Sequence, residues 1–145
     1  MTFRECVDFA NKNPLCYVAT VEGDQPRVRP LLMWHAKEDG FYFCGLAPKK
    51  MWQQLKTNPK MEACFCNNAP EFKDVASMRV SGRAEFLDDI ELKKQVLEDR
   101  KMYASYGSGK PEDPCYPVVR VTHGEVWTWT PKSILKESEA ERIRF

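Results

Sequence analysis

At 145 residues, with 22 lysines and arginines against 21 acidic residues and a formal charge of +1, the chain is sized for one domain. It carries no net electrostatic bias toward nucleic acid or an anionic membrane, so any basic patch must be local. No run approaches the ~20 apolar residues that span a bilayer, and Met1-Thr2-Phe3-Arg4-Glu5 lacks the apolar core of a secretion signal. The expectation is a single cytoplasmic domain over residues 1–145. The six cysteines, Cys6, Cys16, Cys44, Cys64, Cys66 and Cys115, fall in expected helices, strands and strand ends without the spacing of a disulfide framework, and read as buried thiols of a reducing compartment. Cys64 and Cys66 share a strand face and are soft enough for a metal. No second Cys/His pair with zinc spacing follows, so no metal site is expected.

Thr2 with Glu5 three residues on has the form of a capping box, and Phe3, Cys6, Val7 and Ala10 make one helical stripe that ends near Asn13-Pro14. Residues 15–21 read as a strand, Glu22-Gly23-Asp24-Gln25 as a turn, and residues 27–35 as one returning strand. Lys37-Glu38-Asp39-Gly40 turns the chain into a strand over residues 41–45. After Leu46-Ala47-Pro48, residues 49–56 have helical spacing at Met51, Trp52 and Leu55, and Thr57-Asn58-Pro59 stops that helix. A strand follows at residues 61–66. Another at 77–86 alternates Met78, Val80, Gly82, Ala84 and Phe86 with polar residues, with Gly82 marking a close approach or bend. Asp88 with Glu91 opens a helix with Leu92, Val96 and Tyr103 on its stripe and Lys93, Lys94, Glu98 and Asp99 exposed. Gly107-Ser108-Gly109-Lys110 lacks the spacing of a phosphate-binding P-loop. Residues 118–122 and 125–129 are closing strands joined by a turn at His123-Gly124, and the charged tail 132–145 is expected to cross to a partner. The chain is therefore mainly β and antiparallel, with helices at its margins. A closed or nearly closed barrel suits it, because closure removes aggregation-prone edges.

The chemistry concentrates between Gln25 and Asn67. Period-two alternation puts Arg27, Arg29, Leu31, Met33 and His35 on one strand face, while Lys49 and Lys50 sit near a helix N-terminus whose free N–H groups favour an anion. Arginine offers a planar fork and lysine a point charge, so Arg29 with Lys50 suits one phosphate. A solvated basic surface is the plain alternative. His35 suits a proton donor beside a reduced cofactor, although a strand-end histidine is more often a hydrogen-bonded surface group.

Arg-Val-Arg-Pro at 27–30, Gly-Phe-Tyr-Phe at 40–43, Ala-Pro-Lys-Lys at 47–50, Asn-Pro-Lys at 58–60 and Met-Arg-Val-Ser-Gly at 78–82 occur in an order that resembles the pyridoxamine 5'-phosphate oxidase-like family of FMN-binding split barrels. The resemblance covers almost the whole chain. It implies a six-stranded antiparallel split β-barrel with flanking helices, a homodimer, and FMN at the subunit interface. Arg29 takes the place of the arginine that meets the FMN phosphate, Lys49 and Lys50 match the basic pair after the third strand, and the backbone at Pro30 and Leu31 faces the flavin ring. Cys44, Gly45 and Ala47 stand where the family carries threonine and serine, which implies fewer side-chain contacts to phosphate. Ser77 lies near the family's ring-touching glutamine and Trp129 near its late tryptophan.

The implied activity is that of a flavin-dependent oxidoreductase. It would pass electrons from a donor such as a reduced nicotinamide to a small acceptor, of nitro-aromatic or quinone type if the chain belongs to the nitroimidazole reductase-like branch. No residue is assigned to catalysis. A non-catalytic flavin carrier or sensor, and a haem or deazaflavin binder on the same barrel, are the competing readings. Oxidation of pyridoxamine 5'-phosphate itself is not expected to be efficient. Thr130-Pro131-Lys132-Ser133 replaces the Arg-x-His pattern after the late tryptophan, Val96 and Ala104 stand in place of the tyrosine and serine around Arg100, and Trp34 replaces a lysine.

Overall fold

A computed structural model describes residues 1–145. The chain runs α1 (Phe3–Lys12), β1 (Leu15–Glu22), β2 (Gln25–Leu32), β3 (His35–Lys37), β4 (Gly40–Cys44), α2 (Lys50–Thr57), β5 (Lys60–Cys66), β6 (Ser77–Phe86), α3 (Ile90–Asp99), β7 (Val118–Trp129) and β8 (Ile143–Arg144). All strand pairs are antiparallel, in the order β2-β1-β5-β6-β7-β4-β3, with β8 added to β7. The two ends of this path are consecutive in sequence. Met33 N–H donates to the Pro14 carbonyl at 2.8 Å, whereas Trp34 N–H donates to the Tyr42 carbonyl at 3.0 Å. The strand expected over residues 27–35 is thus bent there, pairing with β1 before the bend and with β4 after it. Counting β2 and β3 as one bent strand, and β8 as a two-residue addition, leaves six long strands around a barrel.

Residues of opposite parity divide between the barrel's inside and outside. Cys16, Val18, Leu31, Met33, Phe41, Phe43, Met61, Ala63, Phe65, Met78, Val80, Val121 and Val126 fill the interior. α1 closes one side with Cys6, Val7 and Ala10. Its start is set by the expected capping box, in which Thr2 Oγ1 accepts from Glu5 N–H at 3.3 Å and the Glu5 carboxylate accepts from Thr2 N–H at 2.6 Å. α2 covers the split beside β2, burying Met51, Trp52 and Leu55. Trp52 fits only because residue 45 is glycine: a Cβ there would lie 2.6 Å from Trp52 Cζ2.

Four expectations change in the folded chain. The two closing strands are one continuous 12-residue strand, β7. What reads as a turn at His123-Gly124 is a β-bulge that sets two residues opposite Gly82, between the pairs Ser81/Glu125 and Arg83/Thr122. His123 takes φ 51°, and a Cβ on Gly124 would clash with the Ser81 carbonyl oxygen, so the pair kinks the strand without breaking the ladder. The tail does not leave the barrel: β8 pairs with β7, Phe145 stacks on Phe3 at 5.1 Å, and the Arg142 guanidinium lies 4.0 Å from the Trp127 ring centroid. Phe145 and Ile143 are the apolar residues that outweigh the tail's charge. Asp89, rather than Asp88, caps α3. Lys93 is buried instead of exposed, because its stem packs into a cleft described below.

Gly45→Ala is expected to lower stability by about 1–3 kcal/mol, because the added methyl overpacks against a fixed indole. A urea titration should show a lower midpoint at unchanged slope. An unchanged midpoint would mean that Trp52 does not depend on this contact.

Candidate functional site

At the mouth of the barrel β1, β2 and α2 converge on five polar side chains. Arg29 lies opposite Val18 in the ladder, on the inward face and at the rim of the core. Its Nη1 donates to Thr20 Oγ1 at 2.7 Å and its Nη2 to Gln54 Oε1 at 2.7 Å. Gln54 Oε1 also accepts from the Thr20 hydroxyl at 2.6 Å, and Gln54 Nε2 donates to Glu22 Oε2 at 3.0 Å. Arg27 Nη2 completes the chain with a 3.0 Å contact to Glu22 Oε1. Thr20 and Gln54 are both buried, and each of their side-chain polar atoms has a hydrogen-bond partner, as burial requires.

This network orients the guanidinium. The edge formed by Nη1 and Nη2 is turned inward onto Thr20 and Gln54, while no hydrogen bond runs from Nε. The second edge, Nε with the remaining Nη2 hydrogen, has the geometry for one bidentate oxyanion. Burial, with Arg27 beside it, lowers the Arg29 pKa, but a guanidinium stays charged at neutral pH. Lys50 stands one turn before Gln54 on the same helix face. Glu22 is held below the usual carboxylate range by its hydrogen bonds to Gln54 and Arg27, with Lys50 adding to the field. Lys49 and Lys50 are exposed at the start of α2, and neither forms an ion pair within the protein. The donor set of Arg29, Lys49, Lys50 and the first turn of α2 therefore fits a phosphate.

The remaining sequence candidates lie elsewhere. Pro30 is on the outer face, exposed, opposite Tyr17, and Leu31 is buried in the core. Along residues 25–31 the second edge of β2 has no partner strand, so backbone groups near Leu31 are open to a ligand, although Pro30 offers no N–H. Gly45 is used against Trp52. Cys44 turns away from Arg29 into a small second core with Val96 and Val118, bordered by Trp34 and Tyr103, where burial pushes its thiol up to about 11. Ser77 and Trp129 pair with each other on the outer face of β6 and β7. Along the sheet Ser77 is three strands from β2 and Trp129 four, and both are on the outer face whereas Arg29 is on the inner one, so one chain does not bring them to Arg29. Thr20, Glu22 and Gln54 were missed from sequence. A glutamine among the apolar positions of α2 was the one available signal.

Around the bend at Met33-Trp34 a second group forms. Trp34 Nε1 donates to Asp99 Oδ2 at 2.8 Å and Arg100 Nη2 to the Met33 carbonyl at 3.1 Å, tying the end of α3 to the barrel. His35 packs between Trp34 and Tyr42, at ring distances of 4.2 and 4.8 Å, and its buried Nε2 has no hydrogen-bond partner.

Comparison with known proteins assigns this architecture. The sequence model of the pyridoxamine 5'-phosphate oxidase family matches residues 3–130, and the chain belongs to that family. Its fold is similar to that of a NimC/NimA family protein from Clostridium acetobutylicum, at 26% identity and a TM-score of 0.75, covering 97% of this chain and 91% of that one. General Stress Protein 26 from Bacillus anthracis aligns over the whole of both chains at 17% identity and a TM-score of 0.72. An FAD-binding protein from Mesorhizobium loti aligns over 90% of this chain and 96% of its own at 18% identity and a TM-score of 0.64. No curated protein matches the sequence.

Burial, followed by Lys37, depresses the His35 pKa, while Asp99 and Asp39 oppose the shift. A histidine with a folded pKa below its unfolded value binds more protons when unfolded. Its contribution to stability is complete above the unfolded value of about 6.5 and is lost as pH falls from there through the folded pKa. The urea midpoint should therefore drop between neutral and mildly acidic pH, and His35→Phe should flatten that dependence. The same slope in both proteins would assign it to other groups.

Proposed function

We propose that the protein is a cytoplasmic FMN-binding oxidoreductase acting as a homodimer. The observation that carries this reading is the set of Arg29: one edge of the guanidinium is fixed inward by Thr20 and Gln54, the other makes no hydrogen bond from Nε, and Lys49 and Lys50 stand unpaired at the start of the helix that carries Gln54. When bound, FMN supplies reversible two-electron chemistry, taking electrons from a donor such as a reduced nicotinamide and passing them to a small acceptor of nitro-aromatic or quinone type. The chain's own part is positional. Arg29, Lys49, Lys50 and the N–H groups of the first turn of α2 hold the phosphate, and the open edge of β2 near Leu31 presents backbone groups to the ring.

Dimerisation is supported by the outer faces of β1 and β2. Leu15, Tyr17, Val28 and Leu32 are 54%, 53%, 69% and 44% exposed and form one apolar strip together with Pro30. A contiguous strip of this kind is expected to be covered, and a twofold copy is the commonest cover. In this reading Ser77 and Trp129 serve the site of the other subunit, since they cannot reach Arg29 of their own. Efficient oxidation of pyridoxamine 5'-phosphate is not expected in this reading: Trp34 and Arg100, at positions the family uses to hold it, are engaged with Asp99 and the Met33 carbonyl, and Val96 is buried.

Arg29→Ala is expected to weaken FMN binding by about 1.5–3 kcal/mol, roughly tenfold to a hundredfold in affinity, with Lys50→Ala weaker in the same direction. Fluorescence titration of the apoprotein measures both, and an unchanged dissociation constant would remove Arg29 from the site. Light scattering should give twice the 16.8 kDa of one chain. A monomer that retained tight FMN binding would overturn the interfacial site.

A further inference from the structure

The face of α2 opposite Lys50 and Gln54 borders a cleft that takes in Ala47 but none of Arg29, Lys49 and Lys50. In a helix of 3.6 residues per turn Trp52 and Lys56 lie on the side away from Gln54, so the two sites are separated by the helix itself. The cleft has a volume of about 210 Å³. Its floor is Trp52 and Phe86, packed edge to face at 6.4 Å, and its walls are Leu87, Val118, Pro114 and Pro117. Prolines contribute no N–H, so these walls offer few donors.

Two ammonium groups face this apolar slot. Lys93 is 8% exposed, and its one ion-pair partner is Asp88 Oδ1 at 3.3 Å, whose side chain is 94% exposed. The arrangement is lopsided: the cation is largely taken out of water while its near counter-ion stays in it, Asp113 acts on it from beyond ion-pair distance, and it makes one of the three hydrogen bonds it can donate. Lys56 Nζ lies 5.6 Å from the Phe86 ring centroid and has no carboxylate partner. Asp88 also borders the cleft, but the charge that burial leaves least compensated is positive.

From this geometry we propose that the cleft binds a small aromatic carboxylate, its ring against Phe86 and the edge of Trp52 and its carboxylate toward Lys93 and Lys56. Size narrows the class to a single ring. The volume is below the roughly 300–1,000 Å³ of sites for drug-sized ligands and close to the ~150 Å³ apolar cavity that admits benzene. The carboxylate displaces Asp88 from Lys93 at little cost, because that aspartate returns to water where it already largely resides.

Titration calorimetry of the full chain with benzoate tests this, with benzamide and benzylamine as neutral and cationic counterparts. Benzoate should bind, benzamide more weakly, and protonated benzylamine not at all. Lys93→Met should weaken benzoate by at least about tenfold while leaving benzamide unchanged, and Lys56→Met should weaken it less. Saturating FMN should not shift the benzoate affinity. Absence of benzoate binding, equal binding of benzoate and benzamide, or competition by FMN would each overturn the proposal. Should Lys93→Met fail to fold, Lys56→Met decides, since that residue is exposed, and an unchanged benzoate affinity there counts against the site.

Discussion

The bend at Met33-Trp34 is the constraint on which the barrel depends. Up to Met33 the strand bonds toward β1 and the Pro14 carbonyl, and from Trp34 onward it bonds to β4. One strand shared between two neighbours closes the sheet without a seventh long strand. It also leaves the first half of β2 unpaired on its second edge, because β4 meets the strand only after the bend. That gap is the split, and α2 settles beside it. The position of Arg29 at the rim, the open backbone near Leu31 and the contact of α2 with β1 all follow from where the strand changes partner.

Gln54 is the joint between helix and sheet. Its amide oxygen takes two donors and its amide nitrogen reaches Glu22, which sets the orientation of the amide. Buried polar groups are costly when unpaired and directional when paired, so a glutamine bonded through both amide atoms fixes α2 against β1 and β2 more specifically than an apolar residue would. The same bonds aim Arg29. A long flexible side chain is thereby held before any ligand arrives, and a pre-set fork loses less freedom on binding. Opposite residues of α2 border the second cleft, so one helix of eight residues stands between the Arg29 network and that cleft.

Membership of the family does not carry every family feature into this chain. Around the bend, Trp34 and Arg100 bind Asp99 and a backbone carbonyl and so anchor α3. Cys44 is enclosed in the small core beneath Tyr103, where desolvation keeps its thiol protonated. These positions hold the fold together, which narrows the candidate cofactor contacts within one chain to Arg29, the two lysines and backbone.

Local pattern determined much of this protein. The capping box of α1, the alternation of Met78, Val80 and Ala84, and the helix over Met51, Trp52 and Leu55 were all legible from sequence, because each rests on neighbours within a few residues. The family resemblance was legible for the same reason, as an order of short motifs. What local pattern could not supply was anything that depends on distant partners. Whether residues 27–35 form one straight strand or a bent one is decided by which strands offer hydrogen bonds on either side. Gly124 reads as a turn until Gly82 is placed against it. Lys93 reads as solvated until the fold buries its stem, and nothing local in the charged tail marks Phe145 as the residue that meets Phe3. The inward edge of Arg29 is the same kind of fact: Thr20 and Gln54 lie 9 and 25 residues away in sequence, and only the closed barrel brings them within hydrogen-bonding distance.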